Sequence, residues 1–315
     1  MPEEQPITEG KPEGALASHG LELYYLLLAL RPHQWSKNLV VLAALIFARQ
    51  LFHVPSLIAA LEAFLLFCLL SGAVYLINDL VDLEQDRLHP VKRQRPLASG
   101  RLSSGLARGA AAILVVGALA GSFALGPSFG VTAFTYFALM VFYTLFLKNM
   151  VILDVLTVSF GFVLRAIAGA VAIGVAFSNW LLVCTMLLAL FLALTKRRHE
   201  ITLLADGAAG HRRILGEYSL SLLDQMIAVV TASTLLSYAL YTQSPETVFK
   251  FGTDRLVWTL PFVLYGIFRY LYLVHQRDEG GNPSVVLFND RPLLAAVGLW
   301  TVAVIAIIYH FGEPG

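Results

Sequence analysis

Nine long apolar runs dominate this sequence, and each approaches the length that a helix needs to cross a lipid bilayer. A hydrocarbon core of about 30 Å requires roughly 20 apolar residues at a rise of about 1.5 Å each. The runs cover residues 38–54, 56–77, 106–125, 127–147, 152–175, 178–195, 220–242, 256–276 and 292–311. Backbone polar groups inside a bilayer must be satisfied internally, so the sequence predicts an all-α polytopic membrane protein with nine transmembrane helices.

The composition excludes the main classes of soluble protein. Hydrophobic residues make up 57% of the 315 residues and charged residues only 14%, against about 25% charged in a typical soluble domain. The formal net charge of +1 provides no field that would attract nucleic acid. We therefore expect the lipid bilayer as a partner and no nucleic acid.

The distribution of Lys and Arg predicts the orientation, because short loops rich in these residues stay in the cytoplasm. Of the 22 basic residues, 17 fall on one side of the nine runs, three fall on the other side, and Arg165 and Arg269 lie inside runs. This bias predicts an amino terminus inside and a carboxyl terminus outside. The expected location is a bacterial-type cytoplasmic (inner) membrane. The long charged loops would then face the cytoplasm, so any chemistry is expected there.

The start of the chain is polar. Residues 1–20 contain no positively charged start before a short apolar core, so we expect a polar tail and no cleavable signal peptide. The apolar segment 21–30 ends at Arg31-Pro32 and is too short to span, which predicts an interfacial helix. Residues 21–315 are expected to form a single membrane-embedded catalytic domain.

Acidic side chains continue the second apolar run without a break and without an intervening basic residue. Asn78, Asp79, Asp82 and Asp86 fall within an arc of about 100° on a helix. Carboxylates this close repel one another unless a cation lies between them, and Mg²⁺ accepts one or two carboxylates together with substrate phosphates. We predict that Asp79, Asp82 and Asp86 bind Mg²⁺ and are catalytic, with a diphosphate as the ligand. The alternative is a solvated helix end.

A basic loop follows the acidic motif. Pro90 and Pro96 are expected to hold it extended and to spread Lys92, Arg93 and Arg95 along one edge. Guanidinium groups match phosphate oxygens in bidentate fashion, which favours substrate binding. Positive charge in cytoplasmic loops is the competing explanation.

Two basic residues precede the first run. Arg31 and Lys37 flank Trp35 where the chain enters the membrane. This placement suits contact with a lipid phosphate, and it suits interfacial anchoring equally well.

Charged residues also bracket the start of the fifth run. Lys148 precedes it, and Asp154 and Arg165 lie eleven residues apart, three turns along one face. A charge at bilayer depth usually lines a cavity or pairs, so substrate contact and a structural salt bridge both remain open. Tyr143 could hydrogen-bond a sugar or phosphate, or act as an interfacial anchor.

Together these motifs resemble the UbiA superfamily of intramembrane prenyltransferases. Residues 78–86 match completely its Asn-Asp-x-x-Asp-x-x-x-Asp motif after the second of nine helices. Residues 31–38, 89–100 and 196–200 resemble the decaprenyl-phosphate phosphoribosyltransferase subfamily more than aromatic prenyltransferases. The resemblance extends over residues 25–311.

The resemblance implies a UbiA-like bundle with cytoplasmic catalytic loops. It implies Mg²⁺-dependent transfer of 5-phosphoribose from phosphoribosyl diphosphate to a polyprenyl (decaprenyl) monophosphate. Diphosphate would be released, and the product would serve arabinose-donor and cell-wall biosynthesis. One alternative is a prenyltransferase that moves a polyprenyl group from its diphosphate to an aromatic or other acceptor. A second is a transporter of an anionic lipid or metabolite.

The superfamily's second motif, Asp-x-x-x-Asp after the sixth helix, is missing between residues 196 and 220. A cation-rich loop that contacts phosphates is expected in its place. The substrate-binding candidates there are Lys196, Arg197, Arg198, Glu200 and Arg213. The acceptor phosphate is already an anion, with a second pKa of about 6, so no histidine is needed as a general base.

Overall fold

The computed structural model describes residues 13–205, 216–277 and 279–311, and within these ranges the chain is helical and contains no strand. The α-helices are α1 (Glu13–Ala29), α2 (Ala43–Phe47), α3 (Val54–Val81), α4 (Leu83–Leu88), α5 (Ser104–Leu125), α6 (Pro127–Leu145), α7 (Leu153–Ala172), α8 (Asn179–Ala205), α9 (Leu220–Gln243), α10 (Pro245–Phe251), α11 (Leu260–Gln276), α12 (Pro283–Asn289) and α13 (Arg291–His310). The 3₁₀ helices are Pro32–Leu42, Lys92–Gln94, Leu147–Asn149 and Arg255–Thr259.

In the described ranges, eight helices are long and apolar enough to cross a membrane: α3, α5, α6, α7, α8, α9, α11 with the 3₁₀ turn before it, and α13. These helices expose far more apolar surface than the helices of a soluble bundle do. Ile113 and Val116 of α5, for example, are 74% and 69% exposed. The chain is therefore an all-α, multi-pass membrane protein, as its composition predicts.

The first predicted run is not a continuous α-helix, so the described residues contain eight regular spanning helices and a ninth is not confirmed. Residues 38–54 are divided among the 3₁₀ helix Pro32–Leu42, the short helix α2 and a turn. This segment also approaches α7 closely. A Cβ atom on Gly169 of α7 would lie only 2.0 Å from the carbonyl oxygen of Val41.

This irregular segment nevertheless runs from one end of the bundle to the other. Arg31, at its start, lies against Asp79 near the carboxyl end of α3, and the segment ends just before α3 begins at Val54. Because a 3₁₀ helix rises about 2.0 Å per residue, Pro32–Leu42 and α2 together cover about 30 Å.

Two local expectations at the site end of the bundle are also corrected. The helix breaks at Asp82 (φ −91°, ψ 8°), so the acidic motif is shared between α3 and α4. Pro90 and Pro96 enclose a 3₁₀ turn, Lys92–Gln94, instead of an extended stretch. The apolar segment 21–30 is helical as predicted, within an α1 that begins earlier.

Two apolar clusters hold the bundle together. One joins α3, α5, α6 and α7 around Phe67, Phe129 and Tyr136. The other joins α8, α9, α11 and α13 around Phe191 and Tyr270. At one end of the bundle the carboxyl ends of α3, α6 and α8 face the starts of α7 and α9. Most of the described residues singled out by the sequence gather at this end, whereas Arg165 lies past the midpoint of α7.

Candidate active site

Two aspartates of the acidic motif converge on one cationic nitrogen. Asp79 and Asp86 are each 3% exposed. Nη1 of Arg95 donates to Oδ2 of Asp86 at 2.6 Å and to Oδ1 of Asp79 at 3.1 Å, and Arg31 Nη2 lies 2.5 Å from the same Asp79 oxygen. Buried charges such as these are energetically costly unless they are paired. Two carboxylates therefore share a position that attracts positive charge.

The third aspartate faces a different cation. The side chain of Asp82 pairs with the ammonium of Lys148, and both residues are buried. Lys148 reaches it from the 3₁₀ turn Leu147–Asn149 between α6 and α7. No basic residue interrupts the motif in the sequence, but tertiary packing supplies Asp82 with a basic partner.

The residues fit a divalent ion held by two carboxylates better than one held by three. Among the described residues, no group of three or more His, Cys, Asp or Glu side chains is arranged to hold a metal ion. The expected set of Asp79, Asp82 and Asp86 around one ion is thus not assembled. Asp79 and Asp86 do converge, and Mg²⁺ commonly takes one or two carboxylates and completes its octahedron with phosphates and water.

A second buried cluster lies at the start of α7. Asp154 accepts hydrogen bonds from Arg197 Nε at 2.7 Å and from the Tyr218 hydroxyl at 2.8 Å, and Arg197 also pairs with Glu200. The Tyr218 oxygen accepts the Ile152 amide at 2.6 Å. Burial, together with the Asp154 carboxylate, raises the pKa of Tyr218 to about 12, so its hydroxyl stays protonated at neutral pH.

Arg165 does not pair with Asp154, although both lie on α7. Its guanidinium donates to Asn38 Oδ1 at 2.7 Å, to the Gly161 carbonyl at 2.9 Å and to the Tyr136 hydroxyl at 2.7 Å. All three acceptors are neutral. The sequence left open whether these charges form a structural salt bridge. Asp154 does form one, with Arg197 of α8.

The other basic residues predicted on α8 are engaged with acidic neighbours. Lys196 lies 3.8 Å from Glu200, and Arg198 Nε donates to Asp224 of α9 at 2.6 Å. Arg213 lies outside the described residues.

The remaining candidates line the edge of the site. Asn78, Lys92 and Tyr143 are half-buried, whereas Arg93 is exposed. Tyr143 is within electrostatic reach of Arg197. In the basic loop, Arg95 pairs with both Asp79 and Asp86.

Three polar partners in the site were missed by the sequence analysis. Tyr218 and Tyr136 hold Asp154 and Arg165, and Asn38 links Arg165 to Ser71 of α3 through its amide at 3.1 Å. A buried charge needs hydrogen-bond partners, so the sequence indicated that Asp154 and Arg165 have partners. It did not indicate which residues these partners are.

Comparison with known proteins places this geometry in context. The UbiA prenyltransferase family model matches residues 38–289. A decaprenyl-phosphate phosphoribosyltransferase of Corynebacterium glutamicum is 35% identical over 292 residues, which cover 90% of this chain and 86% of that protein. The enzyme of the same name from Mycolicibacterium smegmatis is 32% identical over 322 residues, covering 98% of each chain.

A solved structure shares the fold. The UbiA homologue of Archaeoglobus fulgidus, determined with GPP and Mg²⁺, superposes with a TM-score of 0.66 at 17% identity and covers 90% of this chain and 99% of its own. At this identity the likeness establishes the arrangement of helices.

Proposed function

Because this chain belongs to the UbiA prenyltransferase family, we propose that its buried acidic pair serves a phosphoribosyl transfer. The chain moves 5-phosphoribose from phosphoribosyl diphosphate to a polyprenyl monophosphate, of which decaprenyl phosphate is the expected form, and releases diphosphate. The observation that carries the proposal is the convergence of Asp79 and Asp86 on one cationic position, flanked by further cations. The names of the 32–35% identical relatives support this substrate class.

The reaction separates charge, and the site is built to stabilise that separation. Breaking the bond between the anomeric carbon and the diphosphate leaves positive charge on the ribose and negative charge on the leaving group. Mg²⁺, when bound by Asp79 and Asp86, would neutralise part of the leaving-group charge. Arg31, Arg95 and Lys148 lie close enough to the aspartates to donate to the remaining phosphate oxygens.

Arg95 has two successive roles in this proposal. Its Nη1 lies at the point where Asp79 and Asp86 converge, so the guanidinium and a metal ion cannot both occupy that point. In the absence of the donor, a metal ion would add positive charge to a site in which three cations already balance three carboxylates. A metal bound to a diphosphate brings negative charge with it, and Arg95 can then move from the carboxylates to the phosphates.

The acceptor needs no general base. A phosphate monoester carries about −1.5 to −2 charge at neutral pH, because its second pKa is about 6. Its oxygen can attack the anomeric carbon directly as the diphosphate leaves. Catalysis is then a matter of position and electrostatics.

Label transfer tests the proposal. Purified protein is incubated with Mg²⁺, polyprenyl phosphate and phosphoribosyl diphosphate labelled in its 5-phosphate, and the label is followed into the lipid phase. We expect labelled lipid and one diphosphate released per transfer. A folded protein that leaves the label in water, and consumes a prenyl diphosphate with an aromatic acceptor instead, would overturn the proposal in favour of prenyl transfer.

We propose that the site faces the cytoplasm. The basic loop next to the acidic motif and the basic residues near the carboxyl end of α8 lie at one end of the bundle, and short segments rich in Lys and Arg remain inside. The amino terminus would then lie inside, and the carboxyl terminus outside, a bacterial-type cytoplasmic membrane.

A further inference from the structure

Two cations near the candidate site differ from their neighbours. Buried or half-buried cations around the site pair with carboxylates, as shown by Arg31, Arg95, Lys148, Arg197 and Arg198. Arg165 and Lys37 have no such pairing among the described residues. A buried charge without a counter-ion is costly, so this exception calls for an explanation.

Arg165 is held rigidly but remains uncompensated. It is 6% exposed, and its three hydrogen bonds go to the neutral oxygens of Asn38, Gly161 and Tyr136. The Tyr136 ring also lies under the guanidinium, 4.7 Å from the ring centroid. These contacts fix the position of the guanidinium while leaving its full positive charge in place.

Lys37 adds a second positive charge beside it. The side chain is half-buried on the 3₁₀ helix Pro32–Leu42, and Arg165 and Arg31 both lie within electrostatic reach of its ammonium. No ion pair or hydrogen bond with a carboxylate is formed by Lys37 among the described residues. Arg31 is the N-cap of this 3₁₀ helix, six residues before Lys37.

An unpartnered donor lies on the same segment. Trp35 Nε1 is buried and has no hydrogen-bond partner among the described residues. A buried N–H without an acceptor costs about 1–3 kcal/mol. The segment thus combines an orphan donor with an uncompensated ammonium, and both are features that an anion would satisfy.

We propose that Lys37 and Arg165 form the site for the phosphate of the lipid acceptor. The proposal deepens the proposed function and rests on it. Two positive charges match the roughly −1.5 to −2 charge of a phosphate monoester. Because no carboxylate of the described residues pairs with either cation, no metal is needed to bring the phosphate in. The acidic pair, which does need a metal, remains for the diphosphate of the donor.

The spacing between the two sites suits transfer between them. Arg31 contacts Asp79, and Lys37 follows six residues later, about 12 Å along a 3₁₀ helix. A lysine side chain reaches back over part of that distance. The gap leaves room for the ribose between the departing diphosphate and the attacking phosphate.

Direct binding tests the proposal without relying on turnover. The thermal stability of the detergent-solubilised protein is measured with a polyprenyl phosphate, with the matching polyprenol and with inorganic phosphate, in the absence of donor and Mg²⁺. We expect the lipid phosphate alone to raise the melting temperature clearly. We expect that shift to be lost in Lys37→Met and retained in Lys250→Met, whose lysine lies on α10 at the opposite end of the bundle.

Kinetics provide the second readout. Lys37→Met and Arg165→Lys should raise KM for polyprenyl phosphate by about tenfold or more, with KM for phosphoribosyl diphosphate changed less than about twofold. Absence of a stabilising shift in the wild type, an equal shift from inorganic phosphate, or a full shift in Lys37→Met would each overturn the site. A wild type that is stabilised by lipid phosphate but transfers no phosphoribose would overturn the proposed function alone.

Discussion

At the scale of single residues, the candidate site is an arrangement of exchangeable ion pairs. Arg95 bridges Asp79 and Asp86, and Lys148 pairs with Asp82. Each carboxylate that could meet a metal ion is already met by a protein cation. Metal ions and protein cations therefore compete for the same carboxylate oxygens, whereas the phosphates of the donor need the protein cations. Substitutions of the cations should affect metal and donor binding in opposite directions.

Arg95→Gln should strengthen the binding of metal alone and weaken the binding of donor. Removing the guanidinium frees the point between the two carboxylates and deletes a phosphate donor. Mn²⁺ binding followed by electron paramagnetic resonance should tighten, and KM for phosphoribosyl diphosphate should rise about tenfold or more, as loss of a charge-assisted hydrogen bond of about 1.5–3 kcal/mol implies. The matched control is Arg87→Gln, an exposed arginine that pairs only with Glu84 among the described acidic residues. Weaker Mn²⁺ binding in Arg95→Gln would contradict the exchange.

Asp82→Ala should lower stability as well as activity. The substitution leaves the buried Lys148 ammonium without its partner, at a cost of about 3 kcal/mol. The double variant Asp82→Ala/Lys148→Met should regain most of the melting temperature that the single variant loses, and none of the lost activity. If the double variant were no more stable than the single one, the ion pair would not be the cause.

The histidines should be dispensable for the chemical step. The His33 imidazole lies near Arg31 and Lys37, and burial together with those two charges lowers its pKa, so it is neutral at pH 7. His33→Ala should keep kcat within about threefold, and the acid limb of its pH profile should remain near about 6, the second pKa of the acceptor phosphate. Loss of the acid limb in this variant would identify His33 as a base.

At the scale of elements, local pattern predicts much of the fold and little of the site. Length and hydropathy identify the eight regular spanning helices, and Ser103, Ser219 and Asp290 cap three of them as such residues should. The sequence did not predict the 3₁₀ winding of the first run, which packs against Gly169 of α7, far away in the sequence. Periodicity within one segment cannot report a close contact with another segment.

The same reason limits prediction of the charge pairs. The acidic residues of the motif were identified from spacing, but their partners lie 48 residues away for Arg31–Asp79 and 66 residues away for Lys148–Asp82. Asp154 and Arg165 share a helix face and still do not pair, because eleven residues separate them by about 16 Å along α7. Arg197 of α8 is the cation that reaches Asp154. Side-chain spacing shows which groups face the site, and tertiary packing decides which groups meet.

Gly169→Ala tests the role of the close helix contact. A methyl group 2.0 Å from the Val41 carbonyl would force the 3₁₀ segment away from α7 and displace Lys37 and Asn38. We expect a marked fall in melting temperature and loss of transfer activity. Gly117→Ala on α5 is the control, since its added Cβ meets nothing within 4 Å and alanine favours the helix by about 1 kcal/mol. Wild-type activity in Gly169→Ala would show that the segment tolerates displacement.

At the scale of the whole molecule, the bundle gathers chemistry at one end. The carboxyl ends of α3, α6 and α8 bring cations and carboxylates from distant parts of the sequence into one layer. The opposite end contains an apolar and aromatic cluster around Phe47, Tyr241 and Phe251.

The proposed orientation can be measured directly. Alkaline phosphatase fused after residue 311 should be active in bacterial cells, because that enzyme folds only outside the cytoplasm, whereas a fluorescent protein that folds only inside should stay dark at the same position. The loop between α8 and α9 should show the reverse pattern. Reversed signals at both positions would place the candidate site on the outer face.

The most direct test of the central claim is a cryo-electron microscopy map of the protein with phosphoribosyl diphosphate and Mn²⁺. The account predicts an ion between Asp79 and Asp86 in contact with the diphosphate, with Arg95 moved from the carboxylates to the phosphates. A map in which Arg95 still bridges Asp79 and Asp86, and the diphosphate lies elsewhere, would contradict it.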